Sequence, residues 1–157
     1  MINSQWKMKR KIKRILHIAQ NSNEFDFHKD PQYLEIKSIN LKKAEITFLL
    51  NQFKKLNYYD ECIFWSKKLL KISDVCNKTE HFACLATMVK CYNIKKDNEM
   101  VIKFGKDAIS IFHRTKCEIS VLHSLHLIVG ASIMKLNNYS TLSNKCAGWK
   151  IWPNFEI

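Results

Sequence analysis

Four side chains that could bind a metal lie within fourteen residues of one another: His113, Cys117, His123 and His126. His123 and His126 share one face of a predicted helix, and imidazole and thiolate are ligands that zinc prefers. The spacing nevertheless matches no established zinc-finger pattern, in which the ligands come in tightly spaced pairs. We therefore predict no metal and no cofactor, with His113 and Cys117 beside a loop and both other histidines at ordinary helix positions.

The six cysteines could supply a nucleophile or a set of disulfides. The N-terminus lacks the apolar stretch of a signal peptide, so we expect reduced thiols in an intracellular compartment. Cys62, Cys84, Cys91 and Cys146 fall inside predicted helices, where a free cysteine behaves as a small hydrophobic residue. The chain contains no phosphate loop, dinucleotide fingerprint or nucleophile elbow, and no local base for a cysteine. The sequence therefore favours a protein that is not an enzyme.

A basic arm, residues 1–23, begins the chain. It holds six basic residues and no acid, whereas the whole chain has 26 basic and 14 acidic residues and a net charge of +12. The predicted polyanion-binding residues are Lys7, Lys9, Arg10, Lys11, Lys13 and Arg14. They could neutralise phosphates or acidic protein tails, or form only the solvated face of a packed helix. If they bind a polyanion, the affinity should fall with salt and with deletion of residues 1–14.

The other face of the arm is apolar. Trp6, Met8, Ile12, Ile15, Leu16 and Ala19 recur at helical spacing. We therefore predict an amphipathic helix that can dock as a terminal cap. The same composition fits a mitochondrial transit peptide, so a mitochondrial location is the alternative to a cytoplasmic one. No window approaches about 18 consecutive apolar residues, and no transmembrane segment is predicted.

Pairs of helices must position all of these residues. Only three Gly and two Pro occur, which favours an all-α class. Asp30 and Pro31 predict an N-cap and the first position of a helix that continues to Leu56. Asn57 then ends this helix in the left-handed conformation, and a second helix runs from about Tyr59 to residue 73.

The same pattern recurs twice, with predicted breaks at Lys96–Asp97 and at Asn137–Asn138. Tyr59, Asn98 and Tyr139 then occupy equivalent places, 39 and 41 residues apart. A period near 40 residues with two helices per unit predicts an α-solenoid of about three helix-turn-helix units.

These units resemble the tetratricopeptide repeat (TPR). The residues that carry the resemblance are Asn57, Tyr59, Cys62 and Leu69 in the first unit, Tyr92 and Ala108 in the second, and Gly130, Tyr139, Leu142 and Trp149 in the third. The period of roughly 40 residues is similar to that of cell-polarity scaffolds and bacterial peptide-pheromone receptors. The resemblance implies a TPR-like domain at 31–152, with units at about 32–74, 79–113 and 117–151, followed by a tail at 153–157.

The resemblance also implies a concave groove lined by the first helix of each unit. The implied groove residues are Thr47, Asn51 and Lys54, then Ala83, Ala86, Lys90 and Asn93, then Ser124, Leu127, Ala131 and Met134. Trp149 and Trp152 are expected to form an apolar C-terminal patch. Phe64 and Trp65 are expected either to pack against the next unit or to offer an outer-face contact.

We therefore expect a non-catalytic interaction scaffold that binds a peptide or a neighbouring subunit through its groove and its apolar C-terminal end. One alternative is a basic structural subunit of a large assembly, whose arm contacts RNA, acidic protein tails or membrane. Another is a fragment of a peptide-sensing regulator.

Overall fold

The computed structural model describes residues 4–21, 26–27, 29–72 and 77–143, with side chains except at 4–7, 9 and 138–143. This part of the chain forms seven α-helices and a short 3-10 turn at Phe112–Arg114, and it contains no β-strand. The helices are α1 (Ser4–Asn21), α2 (Pro31–Ser38), α3 (Lys43–Lys55), α4 (Tyr59–Ile72), α5 (Lys78–Ile94), α6 (Asn98–Ile111) and α7 (Ile119–Ser143). The predicted all-α class is confirmed.

Helix α1 is the predicted amphipathic arm. Its residues Ile12, Ile15, Leu16 and Ala19 are all buried and belong to the hydrophobic core. Full burial of a large aliphatic side chain is worth about 1.5–3 kcal/mol, so this face holds the arm on the fold. Deletion of residues 1–14 would also remove Ile12 from the core, and would therefore test stability as well as charge.

Helix α2 begins as predicted, because Pro31 is its first residue and Asp30 Oδ1 accepts a hydrogen bond from Tyr33 N at 2.7 Å. The prediction of one helix as far as Leu56 is wrong. Helix α2 ends at Ser38, and Ile39 is extended before α3 starts at Lys43.

The spacing of the buried residues explains this break. Ile36, Leu41 and Ile46 are all buried and stand five residues apart. In one continuous helix that spacing would rotate each of them about 140° away from the last. The extended residues between α2 and α3 bring all three to the core, and Lys42 N then donates to Glu45 Oε2 at 2.9 Å as α3 begins.

Two turns of the same geometry connect α3 to α4 and α5 to α6. Asn57 and Lys96 adopt φ values of 58° and 60°, the only positive φ values among the described non-glycine residues. After each of them a backbone N–H reaches back over the helix end, from Tyr58 to Phe53 O at 3.1 Å and from Asp97 to Tyr92 O at 3.0 Å. This is the Schellman pattern of helix termination, so the predicted breaks at Asn57 and at Lys96–Asp97 are confirmed.

Burial repeats with the same 39-residue period. The buried pairs are Ile46 and Leu85, Leu49 and Met88, Leu50 and Val89, Phe53 and Tyr92, Cys62 and Val101, and Leu69 and Ala108. Helices α3–α4 and α5–α6 therefore share one pattern of burial and one turn geometry, and each of α3 to α6 packs on the next helix along the chain.

Helix α7 differs from the prediction. It runs without a break through Asn137 and Asn138 to Ser143, so the turn predicted there is wrong. Asparagine costs a helix interior only about 0.7 kcal/mol relative to alanine, too little by itself to end a long helix. Trp149, Trp152 and the tail at 153–157 lie outside the described residues.

Candidate functional site

The exposed face of α7 is the candidate site. One face of this helix packs on α6 and buries Leu125, Val129 and Ser132. On the opposite side Ile119, Leu127 and Met134 are 64%, 75% and 64% exposed. These three residues share one face at helical spacing, with His123 and Ala131 between them. We call this surface the α7 face.

The packing of the described helices explains why the α7 face is exposed. Helix α5 lies between two neighbours in the chain, α4 and α6, and it is buried on both of those sides. Helix α7 packs on α6 and, over a smaller area, on α5, and no other described helix makes more than slight contact with it. Among the described residues, nothing therefore occupies the place that α6 takes beside α5.

Two glycines have opposite roles at this end of the fold. Gly105 of α6 is buried, and a methyl group there would overlap Cγ2 of Val129, so Gly105 allows α6 and α7 to approach closely. Gly130 has open space beside its Cα, because an added Cβ would lie more than 4 Å from every atom outside its own stretch of helix backbone and its two chain neighbours. Gly130 lies between Leu127 and Met134 in sequence. The α7 face therefore has a shallow depression at Gly130 between protruding side chains.

The α7 face also belongs to a long apolar segment. Residues Ile119–Asn137 are long and apolar enough to cross a membrane by length and composition, and only 17% of that segment is buried within the fold. Serines and histidines interrupt this segment, so it contains no unbroken apolar run of the length that predicts a transmembrane helix. Lys135 is its one charged residue. The predicted lack of a transmembrane segment stays a prediction.

The implied groove residues lie on α3, α5 and α7, and most of them face solvent. Asn51, Lys54, Ala83, Lys90, Ser124, Leu127 and Met134 are exposed, while Thr47, Asn93 and Ala131 are partly buried. Ala86 is an exception, because it is buried in the core. The N-terminal halves of α3 and α5 are joined by an ion pair between Lys43 Nζ and Glu80 Oε2 at 2.5 Å. That these residues line one concave groove remains a prediction.

The arm offers fewer free cations than predicted. Lys11 Nζ pairs with Glu35 Oε2 of α2 at 2.8 Å, so part of its charge is neutralised within the fold. Arg10, Lys13 and Arg14 are exposed, and the side chains of Lys7 and Lys9 lie outside the described set. The arm therefore attaches to α2 through an ion pair as well as through its apolar face.

A buried polar network, which the sequence did not predict, joins α2 to α4. Tyr33 OH donates to Glu61 Oε2 and accepts a hydrogen bond from Trp65 Nε1 at 2.8 Å, while Lys37 Nζ lies 3.0 Å from Glu61 Oε1. Glu61 is 2% exposed and Trp65 is completely buried. Burial and the Glu61 carboxylate raise the pKa of Tyr33, so its hydroxyl stays protonated as a donor. Both carboxylate oxygens of Glu61 are bonded, which suits a structural role.

The buried polar network shows that Trp65 does not offer the outer-face contact that was one of its two predicted roles. Trp65 is a packing residue, and its indole N–H bonds to Tyr33 of α2 rather than to the following unit. Phe64 is only partly buried and lies beside two lysines. Glu61 and Trp65 are four residues apart, and this spacing indicates that they share one helix face. The sequence does not reveal that their common partner is Tyr33 of α2.

The described cysteines are free thiols. Burial raises the pKa of Cys84 to about 11, with a smaller contribution from Glu80. The hydrogen bond with Cys91 and burial raise the pKa of Cys62. A high thiol pKa and burial both oppose nucleophilic reactivity at Cys62 and Cys84, whereas the hydrogen bond with Cys62 lowers the pKa of Cys91, which is buried as well. Among the described residues, no group of three or more His, Cys, Asp or Glu side chains could hold a metal ion, so the four residues from His113 to His126 are not brought together as ligands.

Clefts on the described surface include the following two. One, of about 400 Å³, lies between α1 and α3 and is lined by Ile12, Lys13, Ala44, Glu45 and Phe48. The other, of about 270 Å³, lies beside the Asn57 turn and includes Asp60, Glu61 and Lys95 among its lining residues. Neither brings together a nucleophile and a base, since Asp60 is ion-paired with Lys95 and Glu61 belongs to the buried network.

No family model, curated protein or solved structure matches the chain.

Proposed function

We propose that the chain is a non-catalytic interaction module, built from TPR-like helix pairs, that binds an apolar helical segment of a partner protein on the α7 face. The observation that carries this proposal is the exposure of Ile119, Leu127 and Met134 on a helix that packs through one face only.

The helix pairs support the TPR-like part of the proposal. Helices α3–α4 and α5–α6 share their turn geometry and burial at a 39-residue spacing. Helix α7 then stands where the first helix of a third pair would begin. In an array of this kind each unit covers its neighbour, so a helix that no later described helix covers keeps an apolar surface that a partner can cover.

The chemistry of the α7 face defines the partner. Its large apolar side chains are aliphatic, and the segment Ile119–Asn137 contains no acidic residue. An amphipathic helix can place apolar side chains against Leu127 and Met134 and approach closely at Gly130. Because the whole protein carries a net charge of +12, acidic residues around the apolar stripe of the partner would speed its association.

A membrane is the second candidate, and the length of the apolar segment favours it. Residues Ile119–Asn137 would extend about 28 Å as a helix, close to the hydrocarbon thickness of a bilayer. The lysines of the protein would add attraction to anionic lipids. In this case the α7 face would meet acyl chains instead of a protein.

The test is a paired substitution. The double variant Leu127→Lys and Met134→Lys places two charges on the α7 face, and Ile72→Lys is the matched control because Ile72 is 48% exposed on α4. The proteins are captured from cells that naturally express the chain, and bound proteins are identified and quantified by mass spectrometry. Flotation with vesicles of neutral and anionic lipid is measured in parallel.

We expect a stoichiometric partner that the double variant loses and Ile72→Lys retains. Retention of the same partner by the double variant would contradict binding through the α7 face. Flotation of the wild-type protein that the double variant loses, without any stoichiometric partner, would favour the membrane candidate instead.

A further inference from the structure

Two lysines flank the ring of Phe64, which is partly buried on α4. Lys37 Nζ of α2 lies 4.4 Å from the ring centroid and Lys68 Nζ lies 5.4 Å from it. The two ammonium groups are therefore no more than about 10 Å apart. Lys37 is held by its ion pair with Glu61, and Lys68 Nζ donates to the backbone oxygen of Lys37.

A second arrangement of the same kind lies between α4 and α6. The Phe104 ring stacks on Tyr92, with centroids 5.6 Å apart and planes inclined by only 6°. Lys67 Nζ is 6.0 Å from the Phe104 centroid and Lys103 Nζ is 5.7 Å from it. Lys67 is adjacent to Lys68 in sequence, so the two arrangements adjoin along α4.

We call the combined surface the lysine–aromatic face. It consists of Lys37, Phe64, Lys67, Lys68, Lys71, Lys103 and Phe104. Among the ion pairs of the described residues, none involves Lys67, Lys68, Lys71 or Lys103. Burial and the charges of Lys37 and Lys71 lower the pKa of Lys68, which shows that like charges converge here. An anion bound at this face would relieve that repulsion.

Five acidic residues are used in the packing of the helices, whereas Glu99 and Asp107 of α6, each four residues from Lys103, are exposed and form no ion pair with it. Asp30 and Asp97 cap helices, and Asp60, Glu61 and Glu80 each pair with one specific lysine. These acids are used in holding the helices together. The remaining lysines lie on the surface. Some of those on α4 and α6 lie beside the rings of Phe64 and Phe104.

We propose that the lysine–aromatic face binds single-stranded nucleic acid, with phosphates on the lysines and bases on the rings of Phe64 and Phe104. An exposed cation–π contact is worth about 0.5–1 kcal/mol, whereas a base stacked on an aromatic ring is worth about 1–3 kcal/mol. When a lysine moves from an aromatic ring to a phosphate, a base can stack on that ring. The base contact is stronger than the cation–π contact that it replaces. Because lipid headgroups would satisfy only the lysines, the rings favour nucleic acid over a membrane.

This inference does not depend on the function proposed for the α7 face, because it concerns other helices. The lysine–aromatic face is a different surface from the arm, whose polyanion-binding residues stay a prediction.

Binding is measured by fluorescence anisotropy of labelled oligouridylate and oligothymidylate, each about 12 nucleotides long, over a series of salt concentrations. The test variant is Lys67→Gln with Lys103→Gln. The control is Lys54→Gln with Lys55→Gln, which removes the same charge from exposed lysines of α3 that adjoin no aromatic ring among the described contacts. Circular dichroism checks that each variant is folded.

We expect the test variant to bind at least tenfold more weakly at low salt, and the control less than threefold. Loss of two phosphate contacts should also reduce the slope of log K against log salt by about 1.4. Phe104→Leu keeps the charge, so it should weaken binding with the slope unchanged. Equal losses in test and control, no binding to either oligonucleotide at low salt, or binding only to anionic vesicles would each overturn the proposal.

Discussion

Tyr33→Phe tests the buried network most directly, because it removes one oxygen and keeps the aromatic ring. In the folded protein Tyr33 OH donates to Glu61 Oε2 and accepts from Trp65 Nε1. The variant leaves the indole N–H without this acceptor in a site that is completely buried. Glu61 loses one of its two donors and keeps Lys37, 3.0 Å away.

Each buried group left without its partner costs about 1–3 kcal/mol, and the larger values apply to charged groups. Two such groups give an expected loss of about 2–6 kcal/mol in the free energy of unfolding. For a domain of this size that loss corresponds to a fall in Tm of roughly 4–24 °C. The measurements are urea unfolding followed by circular dichroism, and thermal melting.

Tyr58→Phe is the matched control. Tyr58 OH makes a long hydrogen bond of 3.4 Å to Ala19 O, and Tyr58 is only partly buried. We expect this variant to lose less than about 1 kcal/mol. If Tyr33→Phe were no less stable than Tyr58→Phe, the reasoning would be refuted, and the network would contribute nothing beyond the packing of its rings.

Two further predictions concern the glycines of the C-terminal helices and the alkaline limit of stability. Gly105→Ala should lower the free energy of unfolding in urea by about 1–3 kcal/mol, because the new methyl group overlaps Val129. Gly130→Ala should leave it unchanged or raise it by up to about 1 kcal/mol. Equal effects of the two substitutions would contradict the close approach at Gly105. The pKa of Cys84 is raised from 9.0 to about 11, so the neutral thiol is favoured in the fold, and the free energy of unfolding should fall by about 2 kcal/mol as the pH rises from 9 to 11. Cys84→Ala should remove that part of the fall, and an identical pH dependence in both proteins would show that the folded thiol ionises freely.

The sequence predicted those elements that local signals define. Asp30 with Pro31 and the left-handed residue at Asn57 mark helix ends through backbone chemistry within a few residues, and both were confirmed. The apolar side of the arm was predicted from its period alone. These features depend on the chain's own neighbours and not on distant contacts.

The remaining features depend on tertiary contacts. The break after Ser38 follows from the need to bury Ile36, Leu41 and Ile46 together, which a helical pattern alone does not show. Tyr33 and Glu61 are 28 residues apart, so their bond becomes visible only after α2 and α4 pack. The lysine–aromatic face likewise combines three helices. The α7 face contains residues predicted for the groove, Leu127 and Met134, but its exposure follows from the unbroken helix that replaced the predicted turn.

The packing of α3 to α7, each on the next helix in sequence, also bears on how the protein folds. Contacts between chain neighbours close only short loops, and chains of low contact order fold quickly. During synthesis, α3 to α6 can each pack as soon as the next helix has emerged. Helix α7 is the last of the described helices to be made and rests on one main neighbour, so it can join or leave the fold while the earlier pairs stay assembled.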